Sequence, residues 1–145
     1  MLAFCSNNFG QNNKSINYKI EIIRSGLLMD GNCYWTITYD SIKIKKENID
    51  NATDIYSKTL ASAERLIIID ALKKVRLKKM KSKYVDNSAA DDAGEYEFEI
   101  SFNGQTKWFR VYQVKLKNIF YLVKVINELI PNRYQIGYND RYFDY

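Results

Sequence analysis

Three groups of side chains in this sequence have the types and spacing to act on something else. The first is acidic: Asp86, Asp91, Asp92, Glu95, Glu97 and Glu99. Paired carboxylates can serve as general acid and base, or can hold calcium. The stretch DNSAADDAGEYE lacks the spacing of an EF-hand loop, though, and its glutamates alternate with Tyr96 and Phe98 as the solvent side of a strand does. Their ordinary role there is solubility and pairing with a base on the next strand, such as Arg110. The second group is the run KKVRLKKMKSK, which carries Lys73, Lys74, Arg76, Lys78, Lys79, Lys81 and Lys83 without an acid. As a ridge along nucleic-acid phosphates it would use Lys74, Arg76, Lys78 and Lys81. As the end of an amphipathic helix it places positive charge where the helix dipole favours it. The third group is Trp108, Arg110 and Tyr112, which alternate with Phe109 and Val111. A sheet cannot bury both sets against the same helices. Trp108, Arg110 and Tyr112, with Glu97 and Glu99 beside them, therefore form a candidate binding surface with the makeup of an interface hot spot. The alternative is that the C-terminal tail (Tyr134, Ile136, Tyr138, Phe143) folds over them.

Much chemistry is excluded by what is missing. The chain has no histidine, the commonest general base and a frequent zinc ligand. Its two cysteines, Cys5 and Cys33, are far apart in sequence and offer neither a metal-ligand spacing nor a Cys/His nucleophile. Cys33 falls on the same strand face as Trp35 and Ile37 and reads as a small core residue. A Cys5–Cys33 disulfide would need an oxidising compartment. Neither a phosphate-binding GxxxxGK[ST] loop nor GxGxxG, GxSxG or HExxH occurs. No catalytic residue, metal or cofactor is expected, and the chain is read as a non-enzyme.

The elements that must position these groups follow from patterning. At 145 residues the chain has the size of one domain, and 46% hydrophobic with 27% charged residues is ordinary globular composition. A net charge of +5 bears on association more than on fold. YKIEIIR (Tyr18–Arg24), CYWTITYD (Cys33–Asp40) and SIKIKK (Ser41–Lys46) read as strands, with Asp30-Gly31 as a type I′ turn. ENIDNATDIYSK is polar and reads as a connector. Leu60 to about Leu77 has helical spacing at Ala61, Ile68, Leu72 and Val75, with Ser57 or Thr59 as its N-cap. Beyond it the basic run can leave the helix as an extended strand. EYEFEISF (Glu95–Phe102) and the segment after Asn103-Gly104 form the clearest hairpin. A two-residue turn there makes paired residue numbers sum to 207, so that Phe98 faces Phe109, Glu97 faces Arg110 and Glu99 faces Trp108. Lys115–Ile130 is a second helix, ended by Pro131. The tail NRYQIGYNDRYFDY docks as an edge strand or stays free.

The fold expected is α+β: an antiparallel sheet of about five strands with two helices, in the order β-β-β-α-β-β-α, as a two-layer sandwich. Residues 1–14 would be a tail or the remnant of an export signal, and 15–145 a single domain. No apolar run approaches the roughly 18 residues of a membrane span. The opening MLAFCSNNFGQNNKS has an apolar stub, small polar residues and a hydrophilic NNKS, and in this it is similar to the leader ends of small exported proteins of Bacteroidetes-type bacteria. Leu2-Ala3-Phe4-Cys5 also echoes a lipoprotein box, with Phe4 where a small residue is required. That resemblance implies an exported protein, periplasmic or secreted; the alternative is a frayed tail on a cytosolic one. The function expected is a small binding or inhibitor-like protein acting on an unknown protein or surface ligand. The alternative is a cytosolic basic protein that touches nucleic acid through Lys73–Lys83.

Overall fold

The computed structural model describes residues 16–25, 31–50, 52–86 and 95–138. Seven strands form one sheet: β1 (Tyr18–Ser25), β2 (Asn32–Thr38), β3 (Ser41–Glu47), β4 (Thr53–Thr59), β5 (Lys83–Val85), β6 (Glu95–Phe102) and β7 (Gln105–Tyr112). Two α-helices accompany them, α1 (Ser62–Lys74) and α2 (Lys117–Asn127), with short 3-10 turns at Leu77–Lys79 and Asn132–Tyr134. The spatial order is β4-β3-β2-β1-β6-β7-β5. All neighbours are antiparallel except β5, which runs parallel to β7. The α+β class therefore holds, but the sheet is mixed and has seven strands rather than about five.

Of the two further strands, β5 is the extended strand into which the basic run can leave the helix, and β4 comes from a segment whose composition hides it. β4 lies within the polar connector, because it is an edge strand whose inward side carries Asp54, Tyr56 and Lys58 while Ile55 points out and is 71% exposed. The usual alternation is inverted, so no hydrophobic period appears. β4 also displaces the helix start: its N-cap is Ala61, not Ser57 or Thr59, which belong to β4. Glu64 reaches back to the Ala61 N–H at 2.9 Å, which is half of a capping box, since alanine has no acceptor to return the bond. The Lys58 ammonium, 2.6 Å from Glu64, and that N–H hold the Glu64 carboxyl below its ordinary pKa. α1 stops at Lys74, short of Leu77. The basic run then makes a 3-10 turn and the three-residue β5. α2 likewise occupies 117–127 instead of 115–130.

The β6–β7 hairpin has the expected register: Phe98 opposes Phe109, Glu97 opposes Arg110 and Glu99 opposes Trp108. Asn103 and Gly104 both have positive φ, 51° and 74°, as a type I′ turn requires. Of the expected Asp30-Gly31 turn, Asp30 lies outside the described residues. Gly31 there has φ 68°, and a Cβ on it would sit 1.6 Å from the Glu47 carbonyl oxygen. Only glycine fits that position.

One face of the sheet is apolar and buried. Ile20 and Ile22 of β1, Trp35 and Ile37 of β2, Ile42 and Ile44 of β3, Phe98 and Ile100 of β6, and Phe109 and Val111 of β7 all lie there. α1 contributes Ile68, Ile69, Ala71 and Leu72 to the same core, and α2 contributes Ile119, Leu122, Val123, Val125 and Ile126. Ala61, placed on the buried stripe by periodicity, is exposed.

The third contributor is the tail segment after Pro131. Tyr134, Ile136 and Tyr138 are buried on this inner side, so this part of the tail neither joins the sheet edge nor covers Trp108. The Trp35 indole N–H donates to the Tyr134 carbonyl at 2.7 Å, and the Tyr134 hydroxyl donates to Asp54 at 2.8 Å. The Asn127 side chain clasps Ile136 through both its amide nitrogen (2.9 Å) and oxygen (2.8 Å). The Tyr138 hydroxyl accepts from the Leu116 N–H (2.8 Å) and donates to the Val114 carbonyl (2.7 Å). Its ring packs against Tyr96 and Phe98, with centroids 5.8 Å away in each case. Among the described residues no helix is long and apolar enough to cross a membrane.

Two buried tyrosines make a controlled comparison. Tyr138→Phe strands a backbone donor and an acceptor and should cost about 1–3 kcal/mol in urea unfolding. The Tyr18 hydroxyl has no hydrogen-bond partner among the described residues, so Tyr18→Phe should be nearly neutral. Equal losses in both variants would refute this assignment of the bonds.

Burial also pushes the Tyr18 phenol up to about 12 from 10.0, and Tyr138 upward as well. The folded state then retains protons that the unfolded chain releases above its ordinary value. Stability is therefore full below about pH 10 and should fall as the pH climbs from there. A flat unfolding free energy between pH 10 and 12 would contradict it.

Candidate functional site

The opposite face of the sheet is where the sequence-derived binding residues come together. Row by row across the strands, Lys45, Tyr34, Ile23, Glu97, Arg110 and Lys83 lie side by side. The adjacent row is Lys43, Thr36, Glu21, Glu99 and Trp108. Trp108 is 42% exposed, Arg110 and Glu99 are exposed, and Glu97 and Tyr112 are half-buried. Among the described residues nothing folds over Trp108.

A depression of about 170 Å³ lies along β1 on this face. Ile23 and Glu21 form its floor, Tyr34 and Thr36 one side, and Glu97, Glu99 and Trp108 the other. Tyr34 on β2 and Trp108 on β7 are three strand spacings apart, or about 14 Å. The depression is thus an open trough between two aromatic walls.

Each wall is held from its own side. The Arg110 guanidinium stands 5.0 Å over the Trp108 ring while contacting Glu97 (3.5 Å) and Glu95 (3.2 Å). Its approach to Glu95 Oε1 is an ion-pair contact that does not amount to a hydrogen bond. Across the trough the Tyr34 hydroxyl donates to Glu47 (3.2 Å), and Lys45 pairs with Glu47 at 2.6 Å and stands 5.7 Å over the Tyr34 ring. The Lys45 contact holds the Glu47 carboxyl below its ordinary pKa. Glu21 and Glu99 face each other across the β1–β6 ladder, an unfavourable like-charge pair. Lys19 relieves it at 2.8 Å from Glu21, and its ammonium is pushed up by that hydrogen bond.

Tyr34, Ile23 and Thr36 had not been singled out. The alternation of CYWTIT already places Tyr34 and Thr36 opposite Trp35. What the sequence lacks is the strand order that brings β2 and β7 to opposite sides of one trough.

The basic run is spread over the end of α1, the 3-10 turn and β5. Lys74 ends α1 with its ammonium 3.9 Å over the Tyr121 ring, Arg76 follows in the turn, Lys78 is in the 3-10 segment, and Lys81 precedes β5. These residues point from successive bends rather than along one helix face. The start of α2 is drawn beside them, as the Asn118 side chain donates to the Lys74 carbonyl at 2.8 Å.

Cys33 is half-buried against the core, and burial pushes its thiol up to about 11, which keeps it protonated and unreactive at neutral pH. Cys5, and with it the disulfide, lies outside the described residues, as do Asp91 and Asp92. Among the described residues no three cysteine or carboxylate groups converge on a metal position.

No protein-family model matches the chain, and no curated protein matches its sequence at a significant level. The reading of this surface therefore rests on its geometry alone.

The geometry makes the two tryptophans opposites: Trp35 is 3% exposed, Trp108 42%. Acrylamide should quench the intrinsic fluorescence in two components, one accessible and one shielded. Trp108→Phe should delete the accessible component alone. A single shielded component in the intact protein would show that Trp108 is covered.

Proposed function

We propose that this protein is a small, non-enzymatic binding protein whose working surface is the open face of its sheet, and that its partner is another protein. The observation that carries this reading is the trough between Tyr34 and Trp108. Each of the two aromatic side chains lies beside a cation that is itself ion-paired, on a face that the described residues leave uncovered. Pre-positioned aromatics with an arginine beside them lose little freedom on binding, which is the character of hot-spot residues. The flanking carboxylates Glu21, Glu97 and Glu99 would set register and orientation more than affinity. Export, the expectation drawn from the first residues, belongs to the same proposal. An intact native mass beginning near Asn12 supports it, and one that retains Met1 refutes it.

The binding surface is tested by Trp108→Ala, alone and with Tyr34→Ala. Because Trp108 contributes little to the core, the single variant should retain its unfolding midpoint to within about 0.5 kcal/mol. A photo-crosslinking residue placed at Thr36 should capture a discrete partner from native extract with the parent protein, and at least about tenfold less of it with Trp108→Ala. Unchanged capture, or collapse of the fold in Trp108→Ala, would sink the reading.

A further inference from the structure

A second concave site lies on the other side of the molecule, where the end of α1, the 3-10 turn, β5 and the start of α2 meet. Its volume is about 230 Å³. The floor is apolar: Val75 and Ile119 are buried, and Met80 and Leu116 are half-buried. Tyr84 forms one wall. Its ring stands edge-on to Phe109 at 6.4 Å and its hydroxyl accepts from the Lys81 N–H at 2.9 Å, which fixes the wall in place.

The rim is basic. Arg76 and Lys79, from the two ends of the 3-10 turn, and Lys117, from the start of α2, line the cavity. Some cations elsewhere are matched: Lys58 with Glu64, Lys73 with Asp70, Arg110 with Glu95 and Glu97. Among the described residues, Arg76, Lys79 and Lys117 have no such carboxylate. Among the described residues, then, three cations without an ion-pair partner border one apolar hollow.

The backbone adds to this. The cavity is also lined by Lys117, Asn118 and Ile119, the first turn of an eleven-residue helix. Amide N–H groups there have no intrahelical acceptor, and the N-cap Leu116 has no side chain able to take one. The Asn118 side chain is turned away to the Lys74 carbonyl.

We infer that this cavity binds a phosphate monoester carried on a small apolar or aromatic body. Three cations around one hollow suit a dianion better than a carboxylate, and the fork of Arg76 suits its tetrahedral oxygens. The apolar floor and the Tyr84 wall take the body. A volume below the roughly 300 Å³ of sites for drug-sized ligands limits the occupant to a small molecule or the end group of a larger one. A nucleic-acid backbone, by contrast, would run over Lys78 and Lys81 and leave the hollow empty.

The probe is phenyl phosphate, titrated into isotope-labelled full-length protein, with inorganic phosphate and phenol as the two halves. Phenyl phosphate should move the amide resonances of Lys117, Asn118 and Ile119 and the ring signals of Tyr84 to saturation, at lower concentration than either half. The double variant Arg76→Gln/Lys79→Gln, whose exposed positions leave the fold intact, should weaken binding at least about tenfold. Trp108→Ala should leave it unchanged, which separates this site from the sheet face. The inference is overturned if phenyl phosphate binds no more tightly than inorganic phosphate, if the shifts map away from the cavity, or if the double variant binds as the parent does. It is equally overturned if a single-stranded oligonucleotide binds through Lys78 and Lys81 while phenyl phosphate leaves the cavity signals unmoved; the basic run would then be a nucleic-acid ridge.

Discussion

Everything in this molecule rests on a mismatch of widths. Seven strands at about 4.8 Å spacing make a sheet roughly 29 Å across, whereas two helices of about 10 Å diameter cover roughly 20 Å of it. An apolar strip of sheet would face water if nothing else were supplied. The chain supplies residues 132–138. Tyr134 closes the strip over Trp35 and Tyr56, with a ring separation of 5.0 Å from Tyr56, and Tyr138 closes it over Tyr96 and Phe98. Asn127 and the Tyr138 hydroxyl then tie this strap to both ends of α2. The tyrosines are suited to the task because each buries a ring while its hydroxyl finds a polar partner, Asp54 of β4 for Tyr134 and the Leu116 N–H at the start of α2 for Tyr138. The strap, the helices and the inner face form one core.

Using the tail inward has a consequence on the other side: the outer face receives no third layer from the described residues. It is held together by charges in place of packing. Its cations largely answer carboxylates on neighbouring positions, and its aromatics are propped by those same ion pairs. Exposed pairs of this kind add little to stability, so their main effect is to limit where Tyr34 and Trp108 can point. At the junction of α1 and α2 the balance differs, with cations bordering a hollow and no ion pair to them among the described residues. The two candidate surfaces therefore ask for different chemistry.

The legible parts of the sequence are those where local rules suffice. Asn103-Gly104 between alternating strands determined the hairpin register residue by residue, and with it the sides taken by Phe109 and Trp108. β4 was hidden because an edge strand with Asp54 and Lys58 turned inward obeys solvation of its ends more than a hydrophobic period. The basic run reads as a helix end or as an extended strand, and β5 is that strand, while nothing in LKKMKSK announces the 3-10 turn before it. The trough was half legible: Trp108, Arg110, Glu97 and Glu99 share one hairpin, but Tyr34 joins them only through the order of strands, which no local pattern encodes. The tail was ambiguous for the same reason. Tyrosines at 134 and 138 suit an outer or an inner surface equally, and the width of the sheet decides between them.

The strand order also divides the molecule in time. β1 to β4 form a meander of near neighbours, and β6 and β7 form a hairpin. Within the sheet the two units meet at one seam, where residues 18–25 pair with residues 95–102. Pairing so remote in sequence must close a long loop before it gains any contact, so the seam is the slow event of folding, while both flanking units can form early. Loop-closure cost grows only by about 0.6 kcal/mol for each doubling of length. The chain between β5 and β6 is consequently where length can change most cheaply, without altering the register of either unit.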